Sequence, residues 1–258
     1  KLQMVDEKIY IQLYKGFAVV KGVYQIQNNS SDSINFKMGY PINGIYEANK
    51  NYTTQEIEFT DLYNFQVKVN NENVPLETQF FHEENVLVYQ DTSNWKIWNC
   101  EYFPHENKLI EVYFIVKTND AFIREGYEKE QKNAFIYLFE SGATWGNPIL
   151  KGELTVQFMN NLTYKNVHGM SNPFSLNYNT EEKILFGNFE EFTPENNDNF
   201  IITYGEFYNN FDFNNIIENH QNYYTNINNL STKNISHLEF TNVKSKNPFD
   251  TKTTFWGI

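Results

Sequence analysis

Apolar side chains recur at every second position through most of the first 205 residues, and that period of two constrains the fold more than any other feature. In an extended strand alternate side chains share a face, so each such run marks a half-buried strand. Ile9, Ile11 and Leu13 share one face, and Ala18, Val20, Gly22, Tyr24 and Ile26 share another. A cluster of short polar residues, Asn28 to Ser33, then reads as a turn into Ile34, Phe36, Met38 and Tyr40, predicting a long hairpin closed off by Pro41. Phe65, Val67 and Val69 lead to the turn Asn70-Asn71-Glu72-Asn73, with Val74-Pro75-Leu76 expected to begin the return strand. The clearest strand is Leu109 to Lys117, with Ile110, Val112, Phe114 and Val116 on one face. Phe135, Tyr137 and Phe139, then Leu154, Val156 and Phe158, continue the series, which Phe200 to Tyr204 closes.

About a dozen strands without alternating helices predict an all-β fold, a large antiparallel β-sandwich, over residues 1–205. The charged stretch Asn119 to Lys132, with Gly126 inside it, is expected to be a long surface connection with room for a short helix. After Gly205 the pattern changes. Ile216, Ile217, His220, Tyr223, Tyr224, Ile227 and Leu230 recur near helical spacing. Residues 206–258 are therefore expected to form a partly helical extension on or beside the sandwich, with one edge strand after His237.

Charge narrows the partners. Twenty Lys and Arg stand against 32 Asp and Glu, a net charge of -12, so the long-range field repels phosphate backbones and argues against nucleic acid. No apolar run reaches the ~18 residues of a membrane-spanning helix. The single cysteine, Cys100, has no internal disulfide partner, and its β-rich setting predicts a buried structural thiol. The chain carries 39 Asn, so Asn-x-Ser/Thr sequons such as those at Asn51, Asn161 and Asn234 carry no weight. It starts at Lys1 rather than Met, which suits a mature exported chain whose signal peptide has been removed, periplasmic or extracellular.

Catalytic signatures are missing. The chain contains no Gly-x-Ser-x-Gly elbow, phosphate loop or His-Glu-x-x-His motif. His82-Glu83-Glu84 and His105-Glu106 are adjacent pairs, whose side chains on a strand point to opposite faces, so they read as solvated loops and no metal or other cofactor is implied. Glu181-Glu182 and Glu190-Glu191 fail as glycosidase pairs for the same reason. No catalytic residues are assigned. The aromatics are the remaining candidates: 23 Phe, 18 Tyr and 4 Trp. Exposed rings offer flat platforms for sugars. Trp95 and Trp98 stand three residues apart, so strand alternation turns them to opposite faces and sends at least one into the core. Trp145 and Tyr137 belong to the most distinctive string, Tyr137-Leu138-Phe139-Glu140-Ser141-Gly142-Ala143-Thr144-Trp145-Gly146-Asn147-Pro148-Ile149. Trp145, Trp95, Trp98 and Tyr137 are thus the candidate ligand-binding residues.

That string, with Val23 to Ser30, Met38-Gly39-Tyr40-Pro41, the Val69 to Leu76 hairpin and Asn188 to Pro194, resembles a group of uncharacterised secreted bacterial β-sandwich domains. The segment Tyr24 to Pro41 is also faintly similar to the opening of vault/inter-alpha-trypsin-type domains. The resemblance spans about Val5 to Tyr204 and implies an exported domain to which no catalytic residues transfer. The resulting expectation is a non-enzymatic interaction or binding module of the bacterial envelope, its partner an unidentified envelope protein or glycan. Its binding surface would then be loops, Asn119 to Lys132 and Glu140 to Asn147 first among them. The alternative is a carbohydrate-binding or carbohydrate-cleaving domain.

Overall fold

The computed structural model describes residues 2–50, 53–59, 61–81, 93–125, 128–195 and 198–249. In chain order its strands are β1 (Leu2–Leu13), β2 (Phe17–Asn28), β3 (Ile34–Pro41), β4 (Gly44–Lys50), β5 (Thr53–Phe59), β6 (Tyr63–Val69), β7 (Glu72–Asn73), β8 (Glu77–Phe81) and β9 (Ser93–Tyr102). They continue as β10 (Asn107–Lys117), β11 (Asn119–Glu125), β12 (Glu128–Tyr137), β13 (Ile149–Phe158), β14 (Val167–Ser171), β15 (Leu176–Asn179), β16 (Ile184–Phe192), β17 (Phe200–Glu206) and β18 (Thr241–Val243). Two helices, α1 (Phe213–Glu218) and α2 (His220–Ser231), lie between β17 and β18. The protein is built mainly from strands.

Nine strands form the main sheet, in the order β18-β15-β16-β13-β1-β2-β10-β6-β7. The predicted antiparallel sandwich needs correction here, because β1 and β13 pair in parallel, Glu7 opposite Gly152 through Leu13 opposite Phe158. Parallel neighbours need a crossover rather than a hairpin, and the chain between β1 and β13 supplies β3, β8, β9, β11 and β12 of the second layer on its way. That layer consists of β11-β12-β17-β14 and β3-β9-β8. Its apolar faces and one face of the main sheet share a single core: Ile9, Ile11, Val20, Ile110, Val112, Leu154 and Val156 meet Trp98, Phe135, Tyr137, Phe200 and Ile202. The arrangement is sandwich-like, with a mixed principal sheet.

The other face of the main sheet is covered by the two helices. Val19, Tyr113, Ile115 and Ile184 pack against Phe213, Ile216, Tyr224, Ile227 and Leu230. The apolar spacing after Gly205 thus corresponds to α1 and α2, and β18 adds the edge strand beside β15. Asp212 caps α1, its carboxylate accepting from the Asn215 amide at 3.1 Å.

Three local expectations are also corrected. Residues 119–132 form no open connection, since β11 and β12 pair from Asn119 opposite Ala134 to Glu125 opposite Glu128. Charged residues suit a strand pair at a sheet edge, which is where β11 lies. Next, β2 and β3 make no hairpin: β2 sits between β1 and β10, whereas β3 pairs with β9 in the second layer. The Asn28 to Ser33 turn therefore carries the chain from one sheet to the other. Finally, Asn70 and Asn71 turn at φ 51° and 69°, the left-handed pair of a two-residue hairpin, but the return strand is Glu72–Asn73 alone and 74–76 follow it.

Candidate functional site

The site begins with an irregularity in β1. Its register against β2 shifts between Met4 and Asp6, a β-bulge that leaves Val5 unpaired. A bulge inverts the alternation. Leu2 and Met4 before it, and Glu7, Ile9, Ile11 and Leu13 after it, consequently face the same core. Glu7 is thereby placed two residues before Ile9 on an apolar face, 5 % exposed. Beside it on β2, the ring of Tyr24 folds over Gly22, occupying the space where a Cβ would stand.

Between this face and the β3-β9 pair lies a cavity of about 860 Å³. The main sheet contributes Leu2, Met4, Glu7, Tyr24, Ile26, Ile110 and Val112. On β3 the inward positions Ile34, Phe36, Met38 and Tyr40 alternate with exposed ones, as the sequence predicts, and they supply the opposite wall together with Trp98. Tyr137 closes one end with Ser141 and Gly142 of a 3-10 turn, Phe139–Trp145. That size suits a small organic molecule, and the lining mixes apolar side chains with polar ones, Ser33, Asn35, Lys37, Ser141 and Asn147 among them.

Four further polar residues, Glu7, Tyr24, Tyr40 and Tyr137, form one cluster. The Tyr24 and Tyr137 hydroxyls are 2.8 Å apart, and Tyr40 stands beside them. Burial pushes the Glu7 carboxyl up to about 8, partly offset by the Tyr137 hydroxyl and reinforced by the negative charge of Asp6. Glu7 is therefore largely protonated at neutral pH. Burial also raises the phenols of Tyr24, Tyr40 and Tyr137 above their usual range and keeps them neutral. Two polar atoms of the lining residues have no hydrogen-bond partner among the described residues, Glu7 Oε2 and the indole nitrogen of Trp98. Buried polar atoms are rarely left so, because each costs roughly 1–3 kcal/mol.

Three of the four residues singled out in the sequence line this cavity: Trp95, Trp98 and Tyr137. Trp98 is 4 % exposed and Tyr137 5 %. Trp95 lies on the other face of β9, half-buried against Gly39, and reaches the cavity where the β3-β9 ladder ends at the Pro41-Trp95 pair. The side chain of Trp145 lies outside the described residues, as do His82 to Glu84 and Trp256. Cys100 is buried as expected, and burial raises its thiol pKa. The sequence reading missed Glu7, although the phase of Ile9, Ile11 and Leu13 carried back two residues places it on the core face. Among the described residues no group of three His, Cys, Asp or Glu is placed to hold a metal ion. No helix among them is long and apolar enough to cross a membrane.

No protein-family model and no curated protein matches the chain. Among solved structures, a likeness of fold is found. A protein of Legionella pneumophila described as a "putative nutrient binding protein" matches with a TM-score of 0.52 and 14 % identity, over 78 % of this chain and 66 % of that one. This chain thus spans just under two thirds of that protein's length. Yeast LTA4 hydrolase (TM-score 0.40, 11 % identity, 78 % of this chain and 29 % of that one) and an M1 zinc metallopeptidase of Deinococcus radiodurans (0.38, 10 %, 78 % and 42 %) are more distant. At such identities the likeness speaks to the fold alone.

Proposed function

We propose that the chain is a non-enzymatic binding module that takes a small, largely apolar molecule with a polar end into the cavity between its sheets. The observation that carries this reading is a roomy cavity with apolar and aromatic side chains in its walls, whose lining residues Glu7 and Trp98 hold buried polar atoms without partners among the described residues. A ligand that hydrogen-bonds to them recovers the cost of leaving them bare. The fold shared with the Legionella protein gives weak support, since that protein's description names binding. Export to the bacterial envelope, and kinship with uncharacterised secreted β-sandwich domains, belong to the same proposal. A carbohydrate fits less well, because Leu2, Met4, Ile26, Ile110 and Val112 offer nothing to a ring of hydroxyls.

The test uses the neutral probe N-phenyl-1-naphthylamine, which fluoresces in apolar surroundings. Saturable one-to-one binding is expected, lost on filling the cavity with Met38→Trp while far-UV circular dichroism is unchanged. Absence of saturable binding to the wild type, or equal binding by the filled variant, overturns the proposal.

A further inference from the structure

Resting on that reading of the cavity, we infer that its ligand is an organic amine, a cation with an apolar or aromatic body whose ammonium group pairs with Glu7. Glu7 is the one carboxylate among the described residues lining the cavity, it is 5 % exposed, and its Oε2 has no partner there. Around it stand the rings of Tyr24 from β2, Tyr40 from β3 and Tyr137 from β12, with Phe36 and Trp98 further along the wall. A carboxylate beside a cluster of phenol oxygens, in a cavity with aromatic side chains in its walls, is the chemistry that holds an ammonium ion, by charge and by acceptor oxygens.

The surrounding charge has the matching sign. Asp6, the next residue on β1, lies on the opposite face and pairs with Lys151 at 3.6 Å and Lys8 at 3.9 Å, yet still adds some negative potential at Glu7, and the chain as a whole carries -12, which draws cations toward it. The one cationic side chain lining the cavity, Lys37 of β3, is exposed and paired with Glu77 at 3.5 Å. It does not neutralise Glu7. An anionic ligand would be repelled by an ionised Glu7, and a neutral one would leave the carboxyl as a buried acid.

Binding is then linked to a proton. An aliphatic amine stays charged at pH 7, its own pKa being about 10. Pairing it with Glu7 requires the carboxylate, and the displaced proton leaves to the buffer. Of the other groups facing Glu7, the phenols of Tyr24, Tyr40 and Tyr137 stay neutral throughout this range. Roughly one proton is therefore released per amine bound at pH 7, and affinity rises as pH rises toward 8.

The experiment is titration calorimetry at pH 7 in two buffers of different ionisation enthalpy, with 2-phenylethylamine, tryptamine and C6 to C12 alkylamines against the matching alcohols. The expected result is binding of at least one amine with release of about one proton, and an alcohol roughly tenfold weaker or worse. Glu7→Gln should weaken the amine roughly 10- to 100-fold and abolish proton release, while an unchanged far-UV circular dichroism spectrum shows that the fold survives. Glu7→Asp should restore proton release in part. Alcohols binding as tightly as amines, amine binding without proton release, or no competition by any amine against N-phenyl-1-naphthylamine overturns the amine assignment and leaves the cavity reading standing. Failure of the naphthylamine probe itself removes both.

Discussion

Each face of the nine-stranded sheet buries a glutamate, and the two are treated in opposite ways. On the face covered by helices, Glu111 meets Lys21 at 2.8 Å and accepts from the Tyr113 hydroxyl at 2.9 Å. Lys21 in turn donates to Asn228 of α2 at 2.9 Å and to Ser231 at 3.1 Å. Burial alone would raise the Glu111 carboxyl, but Lys21 and Tyr113 hold it below its usual range. The result is a charged pair with bonds on every side that fastens the helix to the sheet. On the cavity face Glu7 has neutral phenols beside it and, among the described residues, no paired cation and one oxygen without a partner. A fully bonded buried charge serves the fold, whereas a buried acid left half-bonded beside a cavity is available to a ligand.

The largest effect expected from this contrast comes from breaking the complete pair. Lys21→Met leaves Glu111 buried without its cation and should cost about 3–5 kcal/mol in urea unfolding. Replacing both partners, Lys21→Met with Glu111→Leu, should recover much of that loss, because no buried charge is left over. A double variant as unstable as the single one would show that the network does more than satisfy its own charges.

A smaller effect, of opposite sign in pH, separates the two glutamates. The folded protein holds a proton on Glu7 up to about pH 8, while the unfolded chain releases it near 4.5. Its stabilising contribution is complete below pH 4.5 and is lost as pH rises through 8, on the order of 3 kcal/mol between pH 5 and 8. Glu111 has a lowered value, so its contribution is present above the unfolded value and disappears as pH falls through the folded one. Thermal unfolding across pH 5 to 9 should show the alkaline decline in wild type and its absence in Glu7→Gln. An unchanged decline in the variant would place the responsible group elsewhere.

The two faces were not equally legible in the sequence. Alternation in 18–26 and 109–117 assigns Ala18, Val20 and Ile110, Val112, Phe114 and Val116 to one side, and the structure packs them into one core. Helical spacing after Gly205 corresponds to α1 and α2 because they cover an apolar face. Which strands pair is a long-range matter. Nothing local to Asn28–Ser33 distinguishes a hairpin turn from a crossing between sheets, and the parallel β1-β13 pair joins residues 145 positions apart in the chain. Trp98 and Tyr137 were visible as aromatics on strands. Their convergence on Glu7 was not, since it depends on the bulge at Val5 and on three strands that meet only in the folded layers.

The finest distinction lies in single polar hydrogens, one on each face. Tyr113→Phe removes the hydroxyl that donates to Glu111 and lies 2.9 Å from Asn228, and it should cost about 1–2 kcal/mol, because a buried carboxylate loses a bond. Trp98→Phe removes an indole N–H that has no partner among the described residues. Nothing bonded is lost, the ring that remains still packs against the core, and the nitrogen no longer has to be desolvated; the lost contacts and the gain offset one another, so stability in urea should stay within about 1 kcal/mol of wild type. A loss from Trp98→Phe as large as that from Tyr113→Phe would mean that the indole nitrogen is bonded in the folded protein. It would then serve the fold on the cavity side as Glu111 does on the helical side, and Glu7 would be the only polar handle left for a ligand.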